Sequence, residues 1–564
     1  MEKAKYALGL DFGTNSVRTL LVDVRNGREV GTAVHEYETG EAGVILDRRD
    51  PNLARQNPAD WLRGIEVSVG AAVRKAKKAV PRFNPSDIIG IGVDTTGSTP
   101  LPVDRDGTPL AFKKEFRRNL NAMAWLWKDH TGYAEAAEIT ALAARVHPEY
   151  LAKCGGTYSS EWFFSKILHC LRVDPRVFDA AWSWVEFADY IPAVLTGSIR
   201  PLTTKRSRCA AGHKAMFNDA WGGLPAADFL AKLDPKLGAL RARLYAKTFT
   251  SDAAAGGLTK DWARKLGLRA GIPVAVGAFD AHLGGVGSGV RPGRFVKIIG
   301  TSTCDICVWP TATNLPDIPG LCGIVDGSVL PGCLGLEAGQ SAVGDIFNWF
   351  VNYLQPGGPR QGSHEELTKK AARLRPGESG LLALDWNNGN RTILVDQRLT
   401  GLILGLTLHT RPEEIYRALI EATAFGALTI IKRFEEYAVA VDDVVNCGGI
   451  AEKNPLVMQI YADVTGKEMK VARSDQTCAL GAAMAGAVVA GKAAGGHATF
   501  EAAQAAMAGV KTRSFKPDAT NHRVYEELYP LYRELHDAFG AKGWSGSLFN
   551  VMKDLLAIRD RERR

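Results

Sequence analysis

The chain has 564 residues, too many for a single hydrophobic core, so at least two domains are expected. An apolar fraction of 46%, with 23% charged residues and glycine and proline spread throughout, argues against a disordered or fibrous chain. The net charge is +8, with 69 basic residues nearly matched by 61 acidic ones, which suits an anionic small molecule and is weak support for nucleic acid.

A strand pattern begins by Tyr6, with no charged-then-apolar layout of a secretory leader before it. AKYALGLDFG, VRTLLVDV and REVGTAVHEYE read as successive strands. Residues 57–80, opened by Asn-Pro and apolar at helical spacing, read as an amphipathic helix, and IIGIGVDTTG as the next strand. Residues 119–145 also look helical, and the tryptophans of WLWKDHT within them are expected in the core. In GIPVAVGAFDAHLGGVGSG an apolar strand runs into Asp280 and then turns glycine-rich. RFVKIIGTSTCDICVWP, residues 294–310, is strand, Gly-Thr turn, strand. Its Cys304 and Cys307 read as small thiols on a strand, because no second ligand pair with zinc spacing appears. VVNCGGIAEKNPLVMQIYADVTG reads as a strand, then Gly448-Gly449, then a helix opened by Asn454-Pro455. CALGAAMAGAVVAG, stopped by Lys492, is a buried helix too short for a membrane span. NHRVYEELYPLYRELHDAF is a further helix, and the charged end of the chain, finishing IRDRERR, is expected to be solvated. Nine thinly scattered cysteines suit a reducing compartment, and a soluble cytoplasmic protein is the expectation.

Alternating strands and helices indicate an α/β architecture. The hairpin at Gly13-Thr14 has an echo at Gly300-Thr301, which suggests two related halves facing one another across a cleft. Asp11 aligns with Ile298, so only the first half brings a carboxylate. Each turn leaves backbone N–H groups beside hydroxyls with little side-chain bulk, a geometry that suits phosphate oxygens. Two copies favour a split phosphate clamp, and Asp11 then meets a divalent cation carried by the nucleotide. At Gly448 and Gly449 a flat ring or ribose can approach the backbone. Asp280 either caps the helix that follows it or acts as a general base where a substrate hydroxyl meets the terminal phosphate. His282 reads as a packed or capping histidine. Three polar stretches could read a small hydroxylated substrate: DTTGSTPL, RSRCAAGHKAMF with Lys214, and GLEAGQSAVGDIFNWF with Glu337, Gln340 and Asp345.

Taken in order, GLDFGTNSVR, GAFDAH, GTSTC, GLILGLTLHTRPEEIYRALIEA and GGIAEKNPLVMQIYADVTG followed by ALGAAMAGAV resemble the motifs of the FGGY carbohydrate kinases. The likeness runs from about residue 6 to about 540. Glycerol kinases have a Gln-Arg-Glu element, and xylulokinases a Gln-Met-His element, where this chain has Thr95-Thr96-Gly97-Ser98. WLWKDHT, AAGHKAMF and GLEAGQSAVGDIFNW are instead similar to the branch that acts on L-ribulose. The resemblance implies two actin-like ATPase domains of ribonuclease H type, related by duplication and flanking a catalytic cleft: residues 1–290, residues 291–541, and a charged tail at 542–564. It implies transfer of the γ-phosphoryl of ATP to O5 of L-ribulose, with Asp280 as base and Asp11 helping to hold Mg2+. Gly13, Thr14, Gly300 and Thr301 would cradle phosphates. Gly448, Gly449 and Asn454 would line the nucleoside side, and Gly97, Lys214, Asp280 and Glu337 would contact the sugar. The partners expected are the sugar and ATP, with no nucleic acid or membrane and with homodimerisation open. Two alternatives stay open: a kinase for D-ribulose or a broader set of ketopentoses, and an actin-like ATPase module that needs no sugar.

Overall fold

In the computed structural model, which describes residues 3–356 and 362–564, the first hairpin is β1 (Tyr6–Phe12) and β2 (Ser16–Asp23), followed by β3 (Arg28–Glu36). Asn57 accepts from the Ala59 N–H and Pro58 follows it, so the chain enters helix α1 (Pro58–Ala79) with its first amides satisfied. The apolar stripe of α1, Trp61, Ile65, Val69 and Ala72, is fully buried against the sheet. β4 (Ile88–Thr95) then lies parallel to β1, and its eight residues are all buried because both faces of the sheet are covered. The sheet has seven strands, Ala254–Gly257, Pro273–Ala275, β4, β1, β2 and β3 in order, with a short strand ending at Phe279 also on β4. Residues 110–245 supply a separate helical core built on Trp125, Phe163, Phe164 and Trp184, and it includes α2 (Arg208–Lys214). The short strand β5 (Ala278–Phe279) leads directly into α3 (Asp280–Gly287).

The second half repeats the plan. β6 (Gly293–Ile299) and β7 (Thr303–Pro310) form an antiparallel hairpin, extended on one side by β8 (Gly323–Asp326) and β9 (Cys333–Ala338). Helix α4 (Pro412–Glu436) packs in the core of this half, and β10 (Val441–Cys447) returns parallel to β6 as β4 does to β1. Then come α5 (Gly449–Lys453), α6 (Pro455–Thr465), β11 (Met469–Ala472) and α7 (Thr477–Ala490). α8 (Ala519–Gly540) and α9 (Val551–Glu562) close the chain. The duplicated topology, hairpin plus parallel strand, is the pattern of the two Gly-Thr turns in the sequence.

Helix α7 does not cover its own half alone. It lies across the first sheet at a distance only backbone permits: a Cβ on Gly9 would fall 2.0 Å from the Ala479 carbonyl oxygen, on Gly90 1.8 Å from that of Gly486, and on Gly92 1.7 Å from that of Ala482. Gly90 and Gly92 share one face of β4, while Ile91 and Val93 point the other way into the α1 core. α3 meets α7 in the same manner, with Gly287 against the Thr477 carbonyl and Gly481 against that of Leu283. A continuous apolar seam, with Leu20, Val286, Val296, Val445 and Met484 among its members, therefore joins the two halves.

Two expectations change. Residues 119–145 are not one helix: Leu120–Ala122 is a 3-10 turn, Ala124–Trp125 a strand, and only Tyr133–Val146 is α-helical. Asn119 ends the helical reading by accepting from the Asn121 N–H, a local bond that favours a turn. The charged end is not simply solvated either. Val551, Leu555 and Ile558 of α9 form an i, i+4, i+7 stripe buried in the core of the second half, which the surrounding arginines and acids mask in composition. No helix among the described residues is long and apolar enough to cross a membrane.

Gly92→Ala should destabilise the protein by about 3 kcal/mol, since the added methyl collides with helix backbone. Gly13→Ala, whose methyl would approach nothing closer than the Ser16 carbonyl at 3.5 Å, should leave thermal melting unchanged. Calorimetric melts of the two variants check the contrast, and an unshifted melt for Gly92→Ala would refute the rigid seam.

Candidate active site

Register places three carboxylates together. Asp11 of β1 and Asp94 of β4 are direct partners across parallel strands, so their side chains leave the same face. Ala278 of β5 pairs with Asp94, and Asp280 follows two residues later at the first turn of α3, where its Oδ1 accepts from the Ala281 N–H at 2.7 Å. Asp11 meets Arg18 at 3.4 Å, on the facing position of β2. Both Asp94 oxygens are buried with no hydrogen-bond partner among the described residues. Burial, followed by the charges of Asp11 and Asp280, holds the Asp94 carboxyl well above its ordinary range. Burial and then Asp11 push Asp280 up to about 7. The two unmet Asp94 oxygens, with Asp11 directly across the strand pair, are oxygen donors of the kind a hard dication takes.

Asp280 opens into a pocket of about 190 Å³, lined also by Thr14, Gly97, Lys214, His282 and Glu337. Lys214 is at the end of α2 in the first half and Glu337 is on β9 in the second, and Lys214 Nζ donates to both carboxylate oxygens at 3.1 and 3.2 Å. The ammonium also lies 5.3 Å from the centre of the Trp162 ring, a cation–π approach. Burial alone would raise the Glu337 carboxyl, but the charges of Lys214 and then Arg391 hold it well below the usual carboxylate range. Removing one partner of such a buried pair costs about 3–5 kcal/mol, so the pair ties the halves together. His282 is buried, not capping, and neither ring nitrogen has a hydrogen-bond partner among the described residues. Burial drives its pKa down to about 4 and that of His213 well below the ordinary value, so both imidazoles are neutral.

The loop carrying Gly97 is held from behind. Ser98 sits at φ +30°, a strained value for a residue with a side chain, and its hydroxyl donates to Glu186 at 3.0 Å while the Thr99 N–H donates to the other oxygen at 2.9 Å. Lys166 Nζ donates to the carbonyls of Ser98 and Leu126 at 2.6 and 2.8 Å. Neither Lys166 nor Glu186 was singled out from sequence; the available signal was a lysine inside the apolar run FFSKILHC. Trp127, expected in the core, instead lines the pocket, and its indole N–H donates to the Thr14 hydroxyl at 3.0 Å. Arg391 was also missed. It reaches the pocket from the second half and donates to the Thr303 carbonyl.

The second turn lies between this pocket and a larger cleft. Ser302 and Cys304 face the pocket, whereas Gly300 and Thr301 line a cleft of about 630 Å³ together with Asp345, Gly449 and Asn454. Below the turn a buried network fixes it: Lys297 Nζ donates to Asp305 at 2.9 Å and to Gln340 at 2.8 Å, and Gln340 donates to Asp385 at 2.7 Å. Of the acidic and amide groups in GLEAGQSAVGDIFNW, then, only Glu337 is in the pocket, Gln340 is structural, and Asp345 and Asn348 face the larger cleft. Gly448, at φ +94° and with its missing Cβ 2.4 Å from the Ile299 carbonyl, makes the strand-to-helix turn and does not line the cleft. Gly449 does, with open space around it. Asn454 caps α6 by accepting from the Val457 N–H, which leaves its NH2 group for the cleft.

The geometry is that of a small pocket holding Asp280 and a larger cleft on the two sides of the turn at residues 300–304. Residues 6–287 match the N-terminal domain, and residues 295–490 the C-terminal domain, of the FGGY family of carbohydrate kinases. A ribulokinase of Shouchella clausii is 44% identical over 99% of this chain and 99% of its own length, and one of Geobacillus thermodenitrificans is 42% identical over 95% of each. Among solved structures, a xylulose kinase from Rhodospirillum rubrum superposes with a TM-score of 0.76 at 23% identity, over 95% of this chain and 99% of that one. A Plasmodium falciparum glycerol kinase with ADP gives 0.75 at 14% identity, over 95% and 99%. Matched in both halves, the chain belongs to the FGGY family of carbohydrate kinases.

Proposed function

We propose that the chain transfers the γ-phosphoryl of ATP to O5 of L-ribulose, with Asp280 accepting the hydroxyl proton. One observation carries this reading: a carboxylate whose pKa is raised to about 7 stands in a small pocket with Lys214 and Glu337, beside the turn that separates the pocket from a nucleotide-sized cleft. A base is most effective when its pKa lies near the working pH. The 44% identity to a ribulokinase supports L-ribulose as the acceptor, and TTGS at residues 95–98 fits that choice.

In this reading Gly97, Lys214 and Glu337 hold the sugar, the ammonium donating to sugar oxygens and the carboxylate accepting from a hydroxyl pair. Gly13, Thr14, Gly300 and Thr301 offer backbone N–H groups and hydroxyls to the phosphates from opposite sides. Gly449 and Asn454 face the nucleoside, with Gly448 shaping the turn before them. Asp11 and Asp94 would hold Mg2+, whose positive charge would offset that of the phosphates. Lys166 and Glu186 keep the Gly97 loop in its strained form. Positioning and charge balance are what phosphoryl transfer requires of a protein, and exclusion of water from the junction favours the sugar hydroxyl as acceptor.

Nucleotide consumption with L-ribulose, D-ribulose, D-xylulose, L-arabinose and glycerol, against a blank without sugar, tests the substrate. A strong preference for L-ribulose is expected, and turnover equal to the blank with every sugar would sink the proposal. Asp280→Asn should lower kcat by about 10²–10⁴-fold with MgATP binding retained. The same variant has a signature in stability. The folded protein holds the Asp280 proton more tightly than the unfolded chain does, so wild-type stability is lost as pH rises from the ordinary carboxylate range through about 7. Asp280→Asn should therefore melt above wild type at pH 8, with the gap closing towards pH 5; a gap independent of pH would contradict the raised pKa. Gly449→Ala, placed in open space, should leave melting unchanged yet raise KM for ATP by about tenfold, and an unaltered KM would remove Gly449 from the nucleoside site.

A further inference from the structure

At the sugar-side pocket lies a donor set whose two imidazoles the reaction above does not use. His213 of α2, His282 of α3 and Glu337 of β9 converge from three separate elements, and one donor atom from each lies within 4.8 Å of the others. His213 Nδ1 is 3.2 Å and His282 Nε2 3.6 Å from the same oxygen, Glu337 Oε2. Ligands about 2.0–2.1 Å from a tetrahedral ion stand about 3.4 Å apart, and the two observed separations bracket that edge. All three side chains are more than nine-tenths buried, and His213 Nδ1 and both nitrogens of His282 have no hydrogen-bond partner among the described residues. Buried polar atoms without partners need an explanation. His213 Nε2 lies 3.0 Å from the Ser328 hydroxyl, an outer contact that orients the ring with Nδ1 towards Glu337. The imidazoles are held in place by each other, ring centres 4.4 Å apart, and by Phe279 at 5.9 Å from His282. Lys214 does not block the oxygen, since a carboxylate offers about four lone-pair positions.

We propose that His213, His282 and Glu337 form a binding site for a borderline-soft divalent transition-metal ion of the Zn2+ class. Three protein ligands leave a fourth position, and because both His282 and Glu337 line the pocket, that position faces it. Two imidazoles with one carboxylate distinguish the site from the carboxylate cluster at Asp11 and Asp94, which suits a hard ion with oxygen ligands. A consequence rests on the proposed function: an ion on Glu337 Oε2 occupies an acceptor assigned to the sugar, so Zn2+ competes with sugar and not with ATP.

Co2+ is the probe, added to the full-length protein after removal of metals by a chelator. One equivalent should give the intense visible absorption of low-coordinate Co2+ without the near-ultraviolet thiolate band that a cysteine site would add, and Zn2+ should bleach it. Excess Mg2+ should not. His282→Gln should weaken Co2+ binding by about 100-fold, a direct ligand being worth at least as much as an outer partner. His213→Gln serves as the second variant should the first fail to fold, and thermal melts with nucleotide binding report on folding. Absence of the band, its appearance with thiolate character, or its survival in a folded ligand variant would overturn the site. The kinetic arm separates the two readings: Zn2+ bound there and raising KM for L-ribulose supports both, whereas Zn2+ bound there without effect on that KM keeps the site and removes Glu337 from sugar binding.

Discussion

Everything in the molecule is set by a contact in which side chains have been dispensed with. β1 and β4 present Gly9, Gly90 and Gly92 to the carbonyls of α7, and α3 presents Gly287 to the same helix. At such distances a helix can neither slide nor rotate without backbone striking backbone, so α3 is fixed against the first sheet through α7. Asp280 is the first residue of α3. Its position relative to Asp11 and Asp94 thus follows from glycine placement about two turns away, and the apolar seam extends that fixed geometry into the second half.

The electrostatics build on this frame by opposition. Asp280 is buried with the charge of Asp11 near it and Lys214 only partly offsetting that charge, so its proton affinity rises and it is left close to its midpoint at neutral pH. Glu337 has the charges of Lys214 and Arg391 beside it and stays ionised. Two carboxylates facing one small pocket are thereby driven in opposite directions, which is how a protein assigns one acid to proton transfer and another to permanent charge. The Lys214–Glu337 pair adds a mechanical aspect, because its members come from different halves and a wide opening of the pocket must break it.

Much of this was legible in the sequence because the informative residues sit in short, locally patterned segments. Asp11 before Gly13-Thr14, Asp280 after an apolar strand, and the repeated hairpin at Gly300-Thr301 all announce themselves by breaking a run. Alternating glycines in IIGIGVD and the GAAMAG of α7 were visible too, though nothing local said that each was the other's partner. What escaped acts only through tertiary distance. Lys166 is one lysine in an apolar helix until its ammonium is seen to gather carbonyls, Glu186 caps a loop 88 residues away, and Arg391 arrives from a segment without periodicity. Trp127 was misjudged because WLWKDHT reads as a helix face, whereas the chain there turns and brings an indole to Thr14. Helix α9 was misjudged for the opposite reason, its three apolar residues being outnumbered by charge.

The seating of α7 also bears on how the chain is made. The first sheet is complete once α3 has been synthesised, yet the helix that covers its glycine face begins at Thr477, about 190 residues beyond Gly287. At roughly 5–20 residues per second, that interval lasts on the order of 10–40 s on the ribosome. Throughout it a seven-stranded sheet carries an uncovered, nearly flat apolar face while the second half emerges beside it. The nascent first half is in effect an unfinished domain awaiting its lid, and this is the period in which a holding chaperone would have most to protect.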